Sequence, residues 1–331
     1  MSFHVVDRVV DLQAGVPRAF IDNRVRDRRY QQLYRGIYLS GTADSEREAW
    51  LTRLRAHVVR GGPNAAVSHR AAAKLHGLDG FDGYPEDVLV PFSSGFRNPP
   101  AIRTRSLHPV EVEQVNGLPV TTLERTLPDL LRMLTHDEFE TAFESALRPK
   151  DSRQPLNWNA ELLVLLQESV FALPDRRPGV AAFRAFLGAR GDVRPTGSFA
   201  ETRALQALRG VGLGSLCRQP FVQVVDASGR EVRRWFPDFG DLRRGVIFEI
   251  DGSVAHSTSA ALDRDLQRQN ELSNWFVVLR WAAARVLRDP IAVAGEAQRR
   301  LAHTPEHEGG WPANGAWVEP GKEGWTIRLP R

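Results

Sequence analysis

The most restrictive feature of this sequence is an apolar stretch, residues 246–252, that carries two carboxylates. Glu249 and Asp251 lie within a run of valine, isoleucine and phenylalanine. A buried ionised carboxylate is costly unless a cation, hydrogen bonds or a metal ion compensates it. Because side chains alternate between the two faces of a strand, residues two apart project from the same face. The run therefore predicts a buried strand with a polar site on one face.

The residues around this stretch predict a helix, a three-stranded meander and a fourth strand. Ser198 and Glu201 have the spacing of a capping box, which begins a helix that runs to Arg209. Apolar or alternating runs predict strands at 220–225, 232–239, 246–252 and 275–281, and short turns join the first three.

Three carboxylates are expected to converge on this sheet. Asp238 lies near the end of the predicted strand that precedes Glu249 and Asp251, across a short turn. Convergent carboxylates supply the hard oxygen ligands that Mg²⁺ takes, or Mn²⁺ in its place, and they leave room for water and a phosphate. A bound ion polarises the phosphate and lowers the pKa of the attacking water. The pattern favours metal-dependent phosphodiester hydrolysis, with Asp238, Glu249 and Asp251 as ligands.

Polar residues downstream add an acid/base candidate and two cations. His256 is either a general acid or base, or an ordinary loop histidine. Arg264 and Arg268 share one face of a predicted helix, where they clamp a phosphate together with Gln269 or form a solvated face.

The first forty residues predict a winged helix-turn-helix. An apolar helical pattern from Val5 to Leu12 is broken at Gly15-Val16-Pro17, a second helix starts at Arg18, and residues 32–39 alternate like a hairpin. In that layout the second helix enters the major groove of duplex DNA. The alternative is a small helical subdomain with a solvated arginine face. The candidate DNA-contacting residues are Arg18, Arg24, Arg26, Arg28, Arg29 and Arg35.

This region resembles the winged-helix part of AbiEi-type antitoxins. The stretches that carry the resemblance are Ala14 to Arg18, Leu33 to Tyr38, Val67 to Leu78 and Gly117 to Leu130, within residues 4–148. The resemblance implies DNA binding, autorepression of a toxin–antitoxin operon and a cognate toxin protein as partner. It does not by itself imply catalysis.

The C-terminal part resembles Vsr-like endonucleases of the PD-(D/E)XK, restriction-endonuclease-like class, over residues 196–295. The matching positions are Glu201, Pro237 to Phe239, Glu249 to Gly252, His256, Arg268 to Asn270, and Val278 to Arg280. The resemblance implies that Asp238 and Glu249 are metal ligands, that Glu201 assists, and that His256 is an acid/base candidate.

One departure from that pattern affects the expected chemistry. Asp251 occupies the position where the signature has lysine, and an acidic residue cannot orient water or offset phosphate charge as lysine does. A second metal, Arg264 or Arg268 would have to supply the missing charge. The other interpretation is an inactive nuclease fold that serves as a binding scaffold.

The chain is expected to be an α/β protein, α+β overall, with several parts. A length of 331 residues suggests two domains at about 150 residues each. The predicted parts are a winged helix-turn-helix at 1–42, a small α/β region at 43–150, a helical connector at 151–195, an endonuclease-like domain with a central mixed sheet flanked by helices at 196–302, and a loosely packed tail at 303–331.

Composition excludes several classes of protein. No apolar run approaches the roughly 18 residues of a membrane span, and Cys217, the only cysteine, excludes an intramolecular disulfide. The first residues lack a secretory pattern, so a cytoplasmic location is expected. The 44 basic residues include only three lysines, a bias that suits phosphate contacts or reflects a GC-rich genome.

Ser68-His69-Arg70 invites a catalytic interpretation, but an N-cap is favoured. Ser68 precedes an alanine-rich helical run, so its hydroxyl is expected to accept a backbone N–H of that helix.

Two hypotheses for the function remain: a DNA-binding metal-dependent endonuclease, or an AbiEi-like repressor whose nuclease fold is inactive. The sequence leaves the oligomeric state open.

Overall fold

The computed structural model describes residues 4–105, 107–148, 158–172, 179–191, 193–252 and 267–330. The chain has two units. The first comprises residues 1–143 and 164–189, and the second comprises residues 144–163 and 190–331. Both contain helices and mixed sheets, which confirms the α/β class. No helix in the described ranges has the length and apolar character to cross a bilayer.

The first unit begins with a small antiparallel sheet and two helices. Its elements are β1 (His4–Asp7), α1 (Arg8–Gln13), α2 (Arg18–Arg26), β2 (Tyr30–Tyr34) and β3 (Ile37–Ser40), with strand order β1-β3-β2. The predicted second helix and hairpin are confirmed. The prediction that the first helix includes Val5 and Val6 is wrong, because these residues pair with β3 and Asp7 caps α1 through Val9 N–H at 2.8 Å.

Strands β2 and β3 pack against the next helix. Ile37 and Leu39 of β3 contact Ala56 on α3 (Glu46–Gly61). The hydroxyl of Tyr34 lies 2.7 Å from His57 Nδ1, and His57 Nε2 lies 2.8 Å from Glu86. The sheet is therefore joined to α3 by apolar contacts and by polar contacts through Tyr34, His57 and Glu86.

A five-stranded mixed sheet forms the rest of this unit, in the order β6-β5-β4-β8-β7. The elements with this sheet are β4 (Ala66–Val67), α4 (His69–Leu75), β5 (Val88–Pro91), β6 (Ala101–Thr104), a 3-10 turn (Pro109–Glu111), β7 (Val112–Val115), β8 (Leu118–Thr121) and α5 (Leu123–Leu130). The helices that follow are α6 (His136–Leu147), α7 (Ala160–Ala172) and α8 (Val180–Arg190), of which residues 144–147, 160–163 and 190 belong to the second unit. Phe139 and Phe143 of α6 pack edge-to-face against Phe183 and Phe186 of α8.

The second unit contains two sheets. The first has the order β14-β13-β12-β9 and the second has the order β11-β10-β17-β16-β15. The elements are α9 (Phe199–Gly210), β9 (Cys217–Arg218), β10 (Phe221–Val225), β11 (Glu231–Trp235), β12 (Phe239–Asp241), β13 (Val246–Asp251), β14 (Val277–Ala282), α10 (Ala283–Arg288), α11 (Pro290–Ala302), β15 (Trp311–Ala313), β16 (Ala316–Pro320) and β17 (Gly324–Arg328). Residues 267–272 are helical before β14.

The predicted three-stranded meander is wrong. The predicted strand 232–239 divides into β11 and β12, which lie in different sheets. Pro237 stands between them, and a proline has no N–H to continue a strand ladder. The break places Asp238 where the chain enters β12, directly beside β13.

The prediction of a loosely packed tail is also wrong. Residues 311–328 form β15, β16 and β17, and β17 pairs in parallel with β10 in the middle of the five-stranded sheet. Trp311 and Trp325 are buried in the core of that sheet. The last part of the chain therefore completes the second unit.

Candidate carboxylate site

Glu201 is held at the start of α9. Ser198 is the N-cap, as predicted, and its hydroxyl accepts the N–H of Glu201 at 3.1 Å. The carboxylate of Glu201 turns back and accepts the N–H of Gly197 at 2.5 Å. The side chain is buried. The cap therefore fixes a buried carboxylate at the start of α9, a helix that contacts β13.

Asp238 is fixed by its neighbours on both sides. Its Oδ2 accepts the N–H of Ile250 on β13 at 2.6 Å. Its backbone carbonyl accepts the N–H of Gln219 at 2.8 Å. The hydrogen bond to Ile250 places this carboxylate near Glu249, although Asp238 precedes β12 and Glu249 lies on β13.

Glu249 is the buried acid of β13. Its Oε2 accepts a hydrogen bond from the guanidinium of Arg268 at 3.1 Å. Its Oε1 is buried and has no hydrogen-bond partner among the residues that the structure describes. An acceptor that is buried without a partner costs about 1–3 kcal/mol, and more when charged. Such an oxygen is suited to a ligand that brings positive charge.

Asp251 is engaged by a cation. Arg280 of β14 donates to its carboxylate, and the same guanidinium donates to Gln269 Oε1 at 3.0 Å. Arg280 is the register partner of Glu249 on the adjacent strand β14, and its guanidinium reaches Asp251. Asp251 therefore already has a counter-charge in this structure.

Burial and mutual repulsion raise the pKa values of the acids in this site. Burial raises the pKa of Glu201 and that of Glu249. The pKa of Asp238 is raised well above its ordinary value by burial first, and then by the charges of Glu201 and Glu249. Arg268 opposes this rise for both Asp238 and Glu249. The three acids therefore favour binding of a proton or another cation.

The donor set fits a hard divalent cation at Asp238 and Glu249. Both supply carboxylate oxygens, and Glu249 Oε1 has capacity to accept. Asp251 does not complete a close trio with them. In the described ranges, the one group of three donors within 4.8 Å of one another is His136, Asp137 and Glu140 on α6, largely a surface cluster of a kind common without metal.

The raised pKa of Asp238 predicts that Asp238→Asn stabilises the protein without metal. The folded state binds this proton more tightly than the unfolded state, so wild-type stability is lost as pH rises from the ordinary pKa of 3.8 through the raised one. The asparagine variant keeps an acceptor for Ile250 N–H and has no charge to bury. We expect wild type and variant to have equal melting temperatures near pH 3.5, roughly the ordinary aspartate pKa. At neutral pH the variant should have the higher melting temperature, by about 2–4 °C for each kcal/mol of stability gained.

Differential scanning calorimetry between acid and neutral pH, in the presence of a chelator, measures this difference. Asp251→Asn is the matched control, because it removes the ion pair with Arg280 and should lower the melting temperature at neutral pH. A lower melting temperature for Asp238→Asn at neutral pH would contradict the electrostatic argument.

The other residues that the sequence predicts for a site lie in several parts of the chain. Arg268 and Gln269 join the carboxylate site through Glu249 and Arg280. His256 and Arg264 lie outside the described residues. Arg24 stacks over the ring of Phe20 at 4.4 Å. The other predicted DNA-contacting residues are exposed: Arg18, Arg26, Arg28, Arg29 and Arg35.

The N-cap interpretation of Ser68 is wrong for its side chain. Ser68 stands at the N-cap of α4, but its hydroxyl does not cap the helix and instead lies 3.0 Å from His69 Nδ1. The carboxylate of Asp87 takes the capping role, because it accepts the N–H of Arg70 at 3.2 Å. Ser68 is fully buried, which also excludes it as a nucleophile for an external substrate.

Comparison with known proteins gives no family. No protein-family model and no curated protein matches the chain.

Proposed function

We propose that this chain is a DNA-binding protein whose second unit hydrolyses phosphodiester bonds of DNA with Mg²⁺, or with Mn²⁺ in its place. The observation that supports this proposal best is Oε1 of the buried Glu249, which has no hydrogen-bond partner among the described residues. The charges of Glu201 and Glu249 add to burial in raising the pKa of Asp238, and burial raises the pKa of Glu201. A purely structural cluster of this kind lowers stability, whereas a metal-binding cluster uses the same charge. We place this activity in the cytoplasm.

Each residue of the site has a distinct role in this proposal. Asp238 and Glu249 would hold the cation, which when bound polarises a phosphate and lowers the pKa of water. In hydrolysis, the oxygen of water adds to phosphorus and the water gives up one proton, while one P–O ester bond breaks and the leaving oxygen takes up one proton. Glu201, whose pKa burial raises, would assist as a further acid of the site. Arg268 and Arg280 supply the positive charge that lysine gives elsewhere.

The first unit would bring the nuclease to duplex DNA. Helix α2 and the β2–β3 hairpin have the layout of a reading helix and wing, and most of the predicted arginines there are exposed. Exposed arginines contact phosphates and base edges.

Asp238→Asn should abolish metal-dependent nicking of supercoiled plasmid. The variant keeps the hydrogen bond to Ile250 and loses one negative ligand, so we expect a loss of at least about 100-fold. Nicking by purified wild type and variant is compared with Mg²⁺, Mn²⁺ and EDTA, and Glu308→Gln, an exposed change in the same unit, is the control. Equal nicking by both proteins would refute the site assignment.

The second candidate is an AbiEi-like repressor or antitoxin with an inactive nuclease fold. The observation that favours it is the pair of contacts Arg268–Glu249 and Arg280–Asp251, which compensate two acids without metal. Binding to its own promoter without cleavage, together with a cognate toxin that it neutralises, would establish this alternative.

A further inference from the structure

A separate cavity lies in the first unit, between the five-stranded sheet and α5. It measures about 300 Å³, near the lower end of the range for small-molecule sites. Four arginines line it, and one acid, Asp129, joins them: Arg103, Arg105, Arg125 and Arg132. The cavity has no residue in common with the carboxylate site of the second unit.

The arginines of this cavity differ in how they are neutralised. Arg125 is paired with Asp129 at 2.6 Å and with Glu111 at 3.4 Å, so it is already compensated. Within the described ranges, Arg105 and Arg132 form no ion pair with a carboxylate and both are exposed at the cavity. The cavity therefore has an excess of positive charge, which favours an anionic ligand.

One wall of the cavity is apolar and carries an aromatic ring. Leu89, Ile102 and Phe92 line it, and the guanidinium of Arg103 lies 4.3 Å from the centroid of the half-exposed Phe92 ring. A stacked arginine and an exposed ring form a flat surface for a planar group. An inorganic anion alone would leave this wall without a contact.

His69 provides a polar group in an unusual backbone conformation. It lines the cavity, is 4% exposed and has φ +48°, a conformation that residues other than glycine rarely adopt. Asp87 holds the strained turn through Arg70 N–H, and Ser68 contacts His69 Nδ1. Strain that the surrounding structure maintains is common at ligand sites.

We infer that this cavity binds an organic phosphate of nucleotide size, with the phosphate at Arg105 and Arg132 and a planar base against Phe92 and Arg103. A nucleoside monophosphate has both parts. Guanidinium groups bind phosphate oxygens through paired hydrogen bonds, and the concave cavity selects a small ligand over the convex backbone of duplex DNA.

Isothermal titration calorimetry of the full chain with AMP, GMP, CMP and UMP tests the inference. The double variant Arg105→Gln/Arg132→Gln should weaken binding of the best nucleotide by about 10-fold or more. Phe92→Ala should weaken the nucleotide but not inorganic phosphate. Arg47→Gln, an exposed change in the same unit, should leave the affinity unchanged. The substituted arginines are exposed, and circular dichroism verifies that the variants are folded.

Three results would overturn the inference. The first is no binding of any of the four nucleotides at millimolar concentration. The second is equal affinity in wild type and the double variant. The third is that another ligand binds as tightly as the mononucleotides. If inorganic phosphate does so, the base contributes nothing to binding. If a 5′-phosphorylated oligonucleotide does so, the ligand is the end of a nucleic acid.

Discussion

Replacing Trp325 with alanine should lower the free energy of unfolding of the second unit by about 3–5 kcal/mol. Trp325 is fully buried, and its indole packs over Gly240 on β12 of the carboxylate sheet. Its Nε1 donates to the carbonyl of Leu242 at 3.1 Å. The substitution creates a cavity between the two sheets and leaves that carbonyl without its donor, so both costs apply.

Chemical denaturation followed by tryptophan fluorescence and circular dichroism measures this loss. Trp317→Ala is the matched control, because Trp317 lies on the neighbouring strand β16 and is 45% exposed. The control should change the free energy of unfolding by no more than about 1 kcal/mol. Equal losses in the two variants would mean that β17 does not contribute to the core as described.

The strands and helices with strong local signals were predicted well. The apolar run around Glu249 became β13, and the Ser198 cap began α9 where expected. Both signals are local, because a cap needs only the first helical turn and a buried strand needs only its own apolar residues. Local chemistry was therefore enough to place the acids on their elements.

The assignment of strands to sheets could not be predicted in the same way. Strand β10 pairs with β11 on one side and with β17, from the far end of the chain, on the other. Nothing in the sequence near Phe221 identifies that distant partner. The alternation of Trp325 and Ile327 with exposed or half-buried residues was a strand signal within the tail, and the surrounding glycines and prolines obscured it.

The cations of the site were only partly predicted. Arg268 was expected to contact phosphate and instead pairs with Glu249, which still places it in the site. The role of Arg280 was missed, although an arginine within an apolar strand is itself a sign of a buried acid. The register between the parallel strands β13 and β14 decides which acid Arg280 lies near. That register depends on how the chain connects the two strands and not on the residues next to Arg280.

Replacing Glu144 with glutamine should destabilise the second unit by about 3–5 kcal/mol, because it removes the acid from a buried charge network. Glu144 is fully buried, and its carboxylate accepts from Arg190 at 3.0 Å, from Arg218 at 2.9 Å and from the N–H of Thr196 at 3.0 Å. The variant keeps the shape of the side chain but leaves two guanidiniums without this counter-charge. We expect the melting temperature to fall by on the order of 10 °C.

The same network positions the carboxylate site, so the loss should extend to it. Thr196 precedes the cap that holds Glu201, and Arg218 lies on β9, which pairs with Phe239 next to Asp238.

Calorimetry of Glu144→Gln, with Glu308→Gln as an exposed control, measures the loss of stability. Below the melting temperature of the variant, its plasmid nicking should fall even though no acid of the site has changed. Unchanged stability would show that the three contacts to Glu144 carry little energy, and unchanged nicking in a destabilised variant would separate the network from the site.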